Sequence, residues 1–185
     1  RHLLKLSDLS PAEAMAIVTR AEVMRQAPPL AERPFTGRTL AMIFAKSSTR
    51  TRVSFEAGMA KFGGHALFLQ TGTTQIGRDE PLADTARVLS RMVDAVMVRN
   101  DSQADQAELA RHADIPVING LSERHHPCQL LADLLTIREH RGALAGLTLA
   151  YVGDGANNMA HSYLLAGTTA GMHVRIGTPA SHQPR

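Results

Sequence analysis

Residues 47–52 read Ser-Ser-Thr-Arg-Thr-Arg, four hydroxyls and two cations in succession. They follow the apolar run RTLAMIFA (38–45) and precede a segment in which Val53, Ala57 and Ala60 recur at helical spacing. A helix N-terminus presents free N–H groups and partial positive charge, so hydroxyls and arginines gathered there suit an anion, above all a phosphate. Arg50 can fork onto two oxygens of such a group. An isolated STRT is more often a plain cap on a solvated turn. The choice depends on what else the chain brings to the same end of its fold.

Apolar runs and helical patterns alternate along the chain. Strands are expected at 38–45, 65–69, 94–99 and 115–120, and helices at 81–92, 103–113 and 127–142, the last closed by Gly142. Gly63 and Gly64 should stop the helix that begins near residue 49. A further helix over 10–26 opens with Ser10, Pro11 and Glu13, the pattern of a capping box. After Gly142 a strand, a helix at 157–171 and another strand follow. This alternation predicts an α/β protein with a parallel sheet flanked by helices. One domain is expected over residues 1–142 and the beginning of a second α/β domain, incomplete, over 143–185.

Open parallel sheets bind ligands outside the carboxyl ends of their strands. The first strand ends at Ser48-Thr49-Arg50-Thr51, the third at Arg99, and the fourth leads to His126 and Gln129. Cations, hydroxyls and an amide therefore converge on one end of the sheet, and the anion site becomes the better reading of STRT. A histidine there could donate to a carbonyl or stabilise developing charge. Gln129, one turn after His126, could accept from an N–H₂ group.

Other chemistries find less support. The lone Cys128 excludes an internal disulfide framework and a multi-cysteine zinc site, and reads as a small buried residue. His125 and His126 are adjacent, and no HxxxH pair or second cysteine accompanies them, so no metal is expected. In VGDGANN, Gly153 and Gly155 give G-x-G, but Asn158 replaces the third glycine of a dinucleotide fingerprint. With 4% aromatic residues and its cations spread along the chain, the protein is a poor candidate for nucleic acid despite a net charge of +3. No apolar run approaches the ~20 residues of a membrane span. The first residues lack the pattern of a secretory signal, which favours the cytoplasm.

Taken together, SSTRTRVSFE, DTARVLSRMVDAVMVR, PVINGLSERHHPCQLLADLLTI and VGDGANNMAHS resemble the ornithine carbamoyltransferases, within the aspartate/ornithine carbamoyltransferase family. S-T-R-T-R and H-P-x-Q are shared across that family. The segments TQIG (74–77) and NNMAHS (157–162) look like the ornithine branch. The resemblance implies transfer of a carbamoyl group from carbamoyl phosphate to the δ-amine of ornithine, giving citrulline and phosphate, without metal or organic cofactor. It implies that Ser48, Thr49, Arg50 and Thr51 hold the phosphate, and that Arg99 bridges phosphate and carbonyl oxygen. His126 with Thr51 would polarise the carbonyl, Gln129 would take the carbamoyl amide, and Asn158 would contact ornithine.

Gln75, on a polar loop over 70–80, would reach a neighbour's site in a homotrimer. A loop of that length exceeds the usual ~2–6 residues of an α/β connection. The family's later D-x-x-x-S-M-G and H-C-L-P motifs are absent, as are its returning C-terminal helices. The chain is accordingly expected to be part of a longer protein or a fragment, and a free fragment should bind carbamoyl phosphate poorly. A carbamoyltransferase for another amine such as putrescine, and a non-catalytic phosphate-binding remnant, are the alternatives.

Overall fold

The computed structural model describes residues 1–26, 33–72 and 80–184. Its elements in chain order are α1 (Pro11–Gln26), β1 (Thr39–Phe44), α2 (Thr49–Lys61), β2 (His65–Gln70), α3 (Leu82–Leu89), β3 (Ala95–Arg99) and α4 (Gln103–His112). They continue with β4 (Val117–Leu121), α5 (Pro127–Arg141), β5 (Thr148–Val152), α6 (Asn158–Thr169) and β6 (His173–Gly177). The expected parallel sheet flanked by helices is present. The chain divides into two compact units: Arg1–Leu4 with Pro29–Ser122, and Lys5–Pro28 with Glu123–Arg185.

The first unit is built on a four-stranded parallel sheet in the order β2-β1-β3-β4. Because β1 is central, successive side chains of Thr39–Phe44 feed opposite faces, and Leu40 through Phe44 are all buried. Leu40, Met42 and Phe44 pack with Met59 of α2 and Met97. Ala41 and Ile43 pack with Ala86 of α3, Leu109 and Ala110 of α4, and Val96, Val98 and Val117. The connection through α2 thus covers one face, while those through α3 and α4 cover the other. The winding reverses at β1, whose neighbours β2 and β3 lie on opposite sides.

Local signals explain where these elements stop. Gly63 has φ of +83°, the left-handed region, and the N–H of Gly64 bonds to the Met59 carbonyl at 2.8 Å. That closes α2 in the way a left-handed glycine allows. A Cβ on Gly63 would also stand 2.9 Å from Cβ of Arg33. Pro81 occupies the cap position of α3.

The second unit holds a parallel β5–β6 pair together with α1, α5 and α6. Leu6, Val18, Leu130, Leu134, Ala166 and Met172 form its core. The capping box of α1 forms as expected, with Ser10 N–H donating to Glu13 Oε2 at 2.8 Å and Glu13 N–H to Ser10 Oγ at 3.3 Å. Arg138 of α5 donates to Glu22 Oε2 at 2.6 Å and Thr19 Oγ1 at 3.0 Å, pinning α1 against α5. Gly142, at φ of +76°, ends α5. Among the described residues no helix is long and apolar enough to cross a membrane.

Candidate functional site

In the first unit, β1 ends at Phe44 and the chain turns through residues 45–48 into α2. Ser48 is extended (φ −157°, ψ 111°), and its Oγ accepts the Thr51 N–H at 3.4 Å. That is a cap, but a long one against the usual 2.7–3.2 Å. The first turn contains no acidic residue, so nothing there neutralises the positive end of the helix dipole. A cavity of about 370 Å³ opens beside it, lined by Lys46, Ser47, Ser48, Thr49 and Arg52 among others.

Arg99 is brought to this turn by strand register. It lies opposite Phe44 in the β1–β3 ladder, and its carbonyl accepts the Ala45 N–H at 2.9 Å. Its Nη1 donates to Thr51 Oγ1 at 3.0 Å. Two of the strand-end positions expected from the sequence therefore meet at the point where the sheet reverses its winding, where such sheets bind ligands. Arg99 Nε is buried without a hydrogen-bond partner, and the guanidinium has no ion pair among the described residues. Burial lowers its pKa, with the charge of Asp101 acting the other way. An arginine remains cationic at neutral pH all the same, and a half-buried one with no ion pair among the described residues is poised for an anion.

The neighbouring cations divide into committed and available ones. Arg52 donates to Glu56 at 2.9 Å and lies over the Phe68 ring with Cζ 3.9 Å from its centroid. Lys46 pairs with Asp101 at 2.6 Å. Arg50 is exposed and forms no ion pair among the described residues. Replacing Arg50 with alanine should weaken inorganic phosphate and carbamoyl phosphate alike by about 10- to 100-fold, the worth of a charge-assisted fork. Calorimetry showing unchanged phosphate affinity in Arg50→Ala would return this turn to the status of a plain cap.

In the second unit, His126 (φ −138°, ψ 66°) stands at the cap position of α5, followed by Pro127. Its backbone N–H donates to Ser162 Oγ at 2.9 Å, and Ser162 donates to the Asn158 carbonyl at 2.7 Å. Ser162 thus joins two of the expected site residues, His126 and Asn158, through one buried hydroxyl. Ser162 was not singled out in the sequence. The signal was its spacing, four residues after Asn158 on one helix face. Gln129 is exposed, and its Nε2 donates to Asp133 Oδ1 at 2.9 Å. The other Asp133 oxygen accepts from Tyr163 at 2.8 Å; burial and then Asp133 push that phenol up to about 12.

Burial lowers the pKa of His125, and the positive charges of Lys5, His161 and Arg124 lower it further. Burial likewise pushes the Cys128 thiol up to about 11, so at neutral pH it is not a thiolate nucleophile. Among the described residues no group of three or more His, Cys, Asp and Glu side chains could hold a metal ion. Gln75 lies outside the described residues.

A helix N-terminus without acidic residues at the switch point of a parallel sheet is a feature of α/β proteins that bind phosphorylated ligands. Two family descriptions narrow that class. Residues 1–139 match the carbamoyl-P binding domain of aspartate/ornithine carbamoyltransferase, and residues 145–185 match its Asp/Orn binding domain. The chain belongs to the aspartate/ornithine carbamoyltransferase family.

Ornithine carbamoyltransferase of Renibacterium salmoninarum is 53% identical over 189 residues, covering 100% of this chain and 60% of the relative. That of Clavibacter sepedonicus is 55% identical over 185 residues, with the same coverage. The solved ornithine carbamoyltransferase from Pyrococcus furiosus superposes with a TM-score of 0.95 at 49% identity, covering 100% of this chain and 59% of that one. The chain therefore spans about 60% of the length of these relatives.

Proposed function

We propose that the protein transfers the carbamoyl group of carbamoyl phosphate to the δ-amine of L-ornithine, releasing L-citrulline and phosphate. The observation that carries this reading is the Arg99 Nη1–Thr51 Oγ1 contact of 3.0 Å beside an α2 N-terminus that has no acidic residue in its first turn. It joins a half-buried cation to the donors of a helix N-terminus, which is what a phosphate with an adjoining carbonyl requires. Relatives about half identical to the chain, each named ornithine carbamoyltransferase, support the choice of substrates.

In this reading Ser48, Thr49, Arg50 and Thr51 hold the phosphate oxygens, and Arg99 spans phosphate and carbonyl oxygen. The neutral amine attacks the carbonyl carbon to form the C–N bond; the C–O bond to phosphate then breaks, and the amine's proton leaves with the phosphate. Negative charge grows on the carbonyl oxygen and then on the departing phosphate. Preoriented donors, Arg99 and the first-turn N–H groups of α2, meet that charge without reorganising. His126 polarises the carbonyl with Thr51, Gln129 takes the carbamoyl N–H₂, and Asn158 contacts the ornithine backbone groups.

Residues 1–142 serve as the carbamoyl-phosphate part and 143–185 begin the ornithine part, a division supported by the break between the two family matches. The same reading makes the protein a cytoplasmic homotrimer of arginine biosynthesis, with Gln75 reaching a neighbouring subunit's site. Offering ornithine, putrescine and aspartate in parallel to the protein as its gene encodes it, with carbamoyl phosphate, tests the acceptor. Citrulline from ornithine, at a rate well above the other two products, is expected. Faster carbamoylation of putrescine or aspartate would reassign the acceptor.

A further inference from the structure

Gln106 of α4 is fully buried, a polar side chain among the apolar residues of the first unit. Its position coincides with an irregularity in the sheet. Val98 pairs with Asn119 across the β3–β4 ladder, but Arg99 pairs with Leu121, so the register shifts between Val98 and Arg99. The extra residue, Gly120, lies on β4, so the regular ladder is interrupted beside Arg99. There the Leu121 carbonyl accepts from Asn100 N–H at 3.2 Å and from Gln106 Nε2 at 3.0 Å. Gln106 Nε2 also donates to Asn100 Oδ1 at 2.9 Å. One amide therefore ties the residue after Arg99 to the strand beside it.

The other end of the amide argues against a role in stability alone. Gln106 Oε1 is buried without a hydrogen-bond partner. An apolar side chain of the same length would remove that orphan. It would also leave the Leu121 carbonyl bonded to Asn100 N–H, and Asn100 Oδ1 bonded to Ser102 N–H at 3.3 Å. Neither acceptor would be stranded, so the fold has little to lose from the change. What the amide adds is a fixed geometry at the carboxyl end of β3.

We propose that Gln106 is a positioning residue, which holds the end of β3 so that Arg99 Nη1 reaches Thr51 Oγ1. The consequence for catalysis rests on the role given to Arg99 above; the consequence for geometry does not. Replacing Gln106 with methionine keeps the length and flexibility of the side chain and removes its donors. In the protein as its gene encodes it, Gln106→Met should melt within about 4 °C of wild type. Its kcat for citrulline formation should fall about 10- to 100-fold, the cost of a catalytic group displaced by about an ångström.

A double-mutant cycle with Arg99→Lys separates positioning from general loosening. If Gln106 acts through Arg99, adding Gln106→Met to Arg99→Lys should change kcat by less than about twofold. An equal fold-loss in both backgrounds overturns the proposal. Gln106→Leu serves as a second variant should the methionine protein fail to fold. A crystal structure of either variant supplies a readout independent of the reaction. Arg99 turned away from Thr51 supports the proposal, and an Arg99–Thr51 contact kept at about 3 Å overturns it. Failure of the wild type to carbamoylate ornithine would remove the functional reading, while the contact would still decide the role of Gln106.

Discussion

Replacing Arg99 with alanine should lower kcat for citrulline formation by about 10²–10³, the typical cost of removing one preoriented donor from a developing oxyanion. The size of the effect follows from where the guanidinium sits. It is brought beside α2 by register with Phe44, it touches Thr51 Oγ1, and the nearby Asp101 forms its ion pair with Lys46 rather than with Arg99. Its charge, partly desolvated by the fold, is thus available to the transition state of the proposed reaction. The fold should survive, because β3 is held by Val96, Met97 and Val98, all buried. Steady-state kinetics beside a melting curve checks both halves. A folded Arg99→Ala protein with wild-type kcat would mean that this cation serves structure alone.

His126→Ala should cost about 10²-fold in kcat while changing inorganic phosphate affinity far less, since in the proposed reaction the imidazole addresses a carbonyl that gains charge only in the transition state. The start of α5 does not depend on the ring for its cap. His126 is tied to Ser162 by its backbone N–H, which alanine retains, and its ring makes no capping bond to α5. The start of α5 should therefore stay in place. Comparing kcat with a phosphate titration of the same protein makes the distinction. Full kcat with a raised KM would assign the ring to binding in ground and transition state alike.

The elements themselves were legible because each announces its ends. The run TLAMIF is apolar enough for a strand buried on both faces, Gly63 and Gly142 take the left-handed angles that end α2 and α5, and Ser10 with Glu13 caps α1. The convergence of Thr51 and Arg99 was legible too, because parallel strands align their carboxyl ends. What the pattern could not carry is anything decided across the chain. Arg50 and Arg52 are indistinguishable in STRTR. The fold commits Arg52 to Glu56 and the Phe68 ring and leaves Arg50 exposed.

Gln106 sits in QADQAELARHA, where a glutamine reads as part of a solvated helix face; the fold buries it, with its amide bonded to Asn100 and Leu121 beside the register shift. The helix α1 precedes the first strand, and nothing in its residues says that Glu22 and Thr19 will meet Arg138 more than a hundred positions later. The trimeric role given to Gln75 concerns a segment outside the described residues.

The most direct measurement follows the reacting carbon itself. Carbamoyl phosphate labelled at its carbonyl carbon, mixed with ornithine and the protein as its gene encodes it, can be watched by NMR. Carbamoyl transfer at the Arg99–Thr51 site predicts that the label moves into the ureido carbon of citrulline as phosphate appears in equal amount. It also predicts that Arg99→Ala slows this transfer about 10²–10³-fold. Label lost only to spontaneous decomposition, with ornithine unconsumed at saturating concentrations of both substrates, would contradict it.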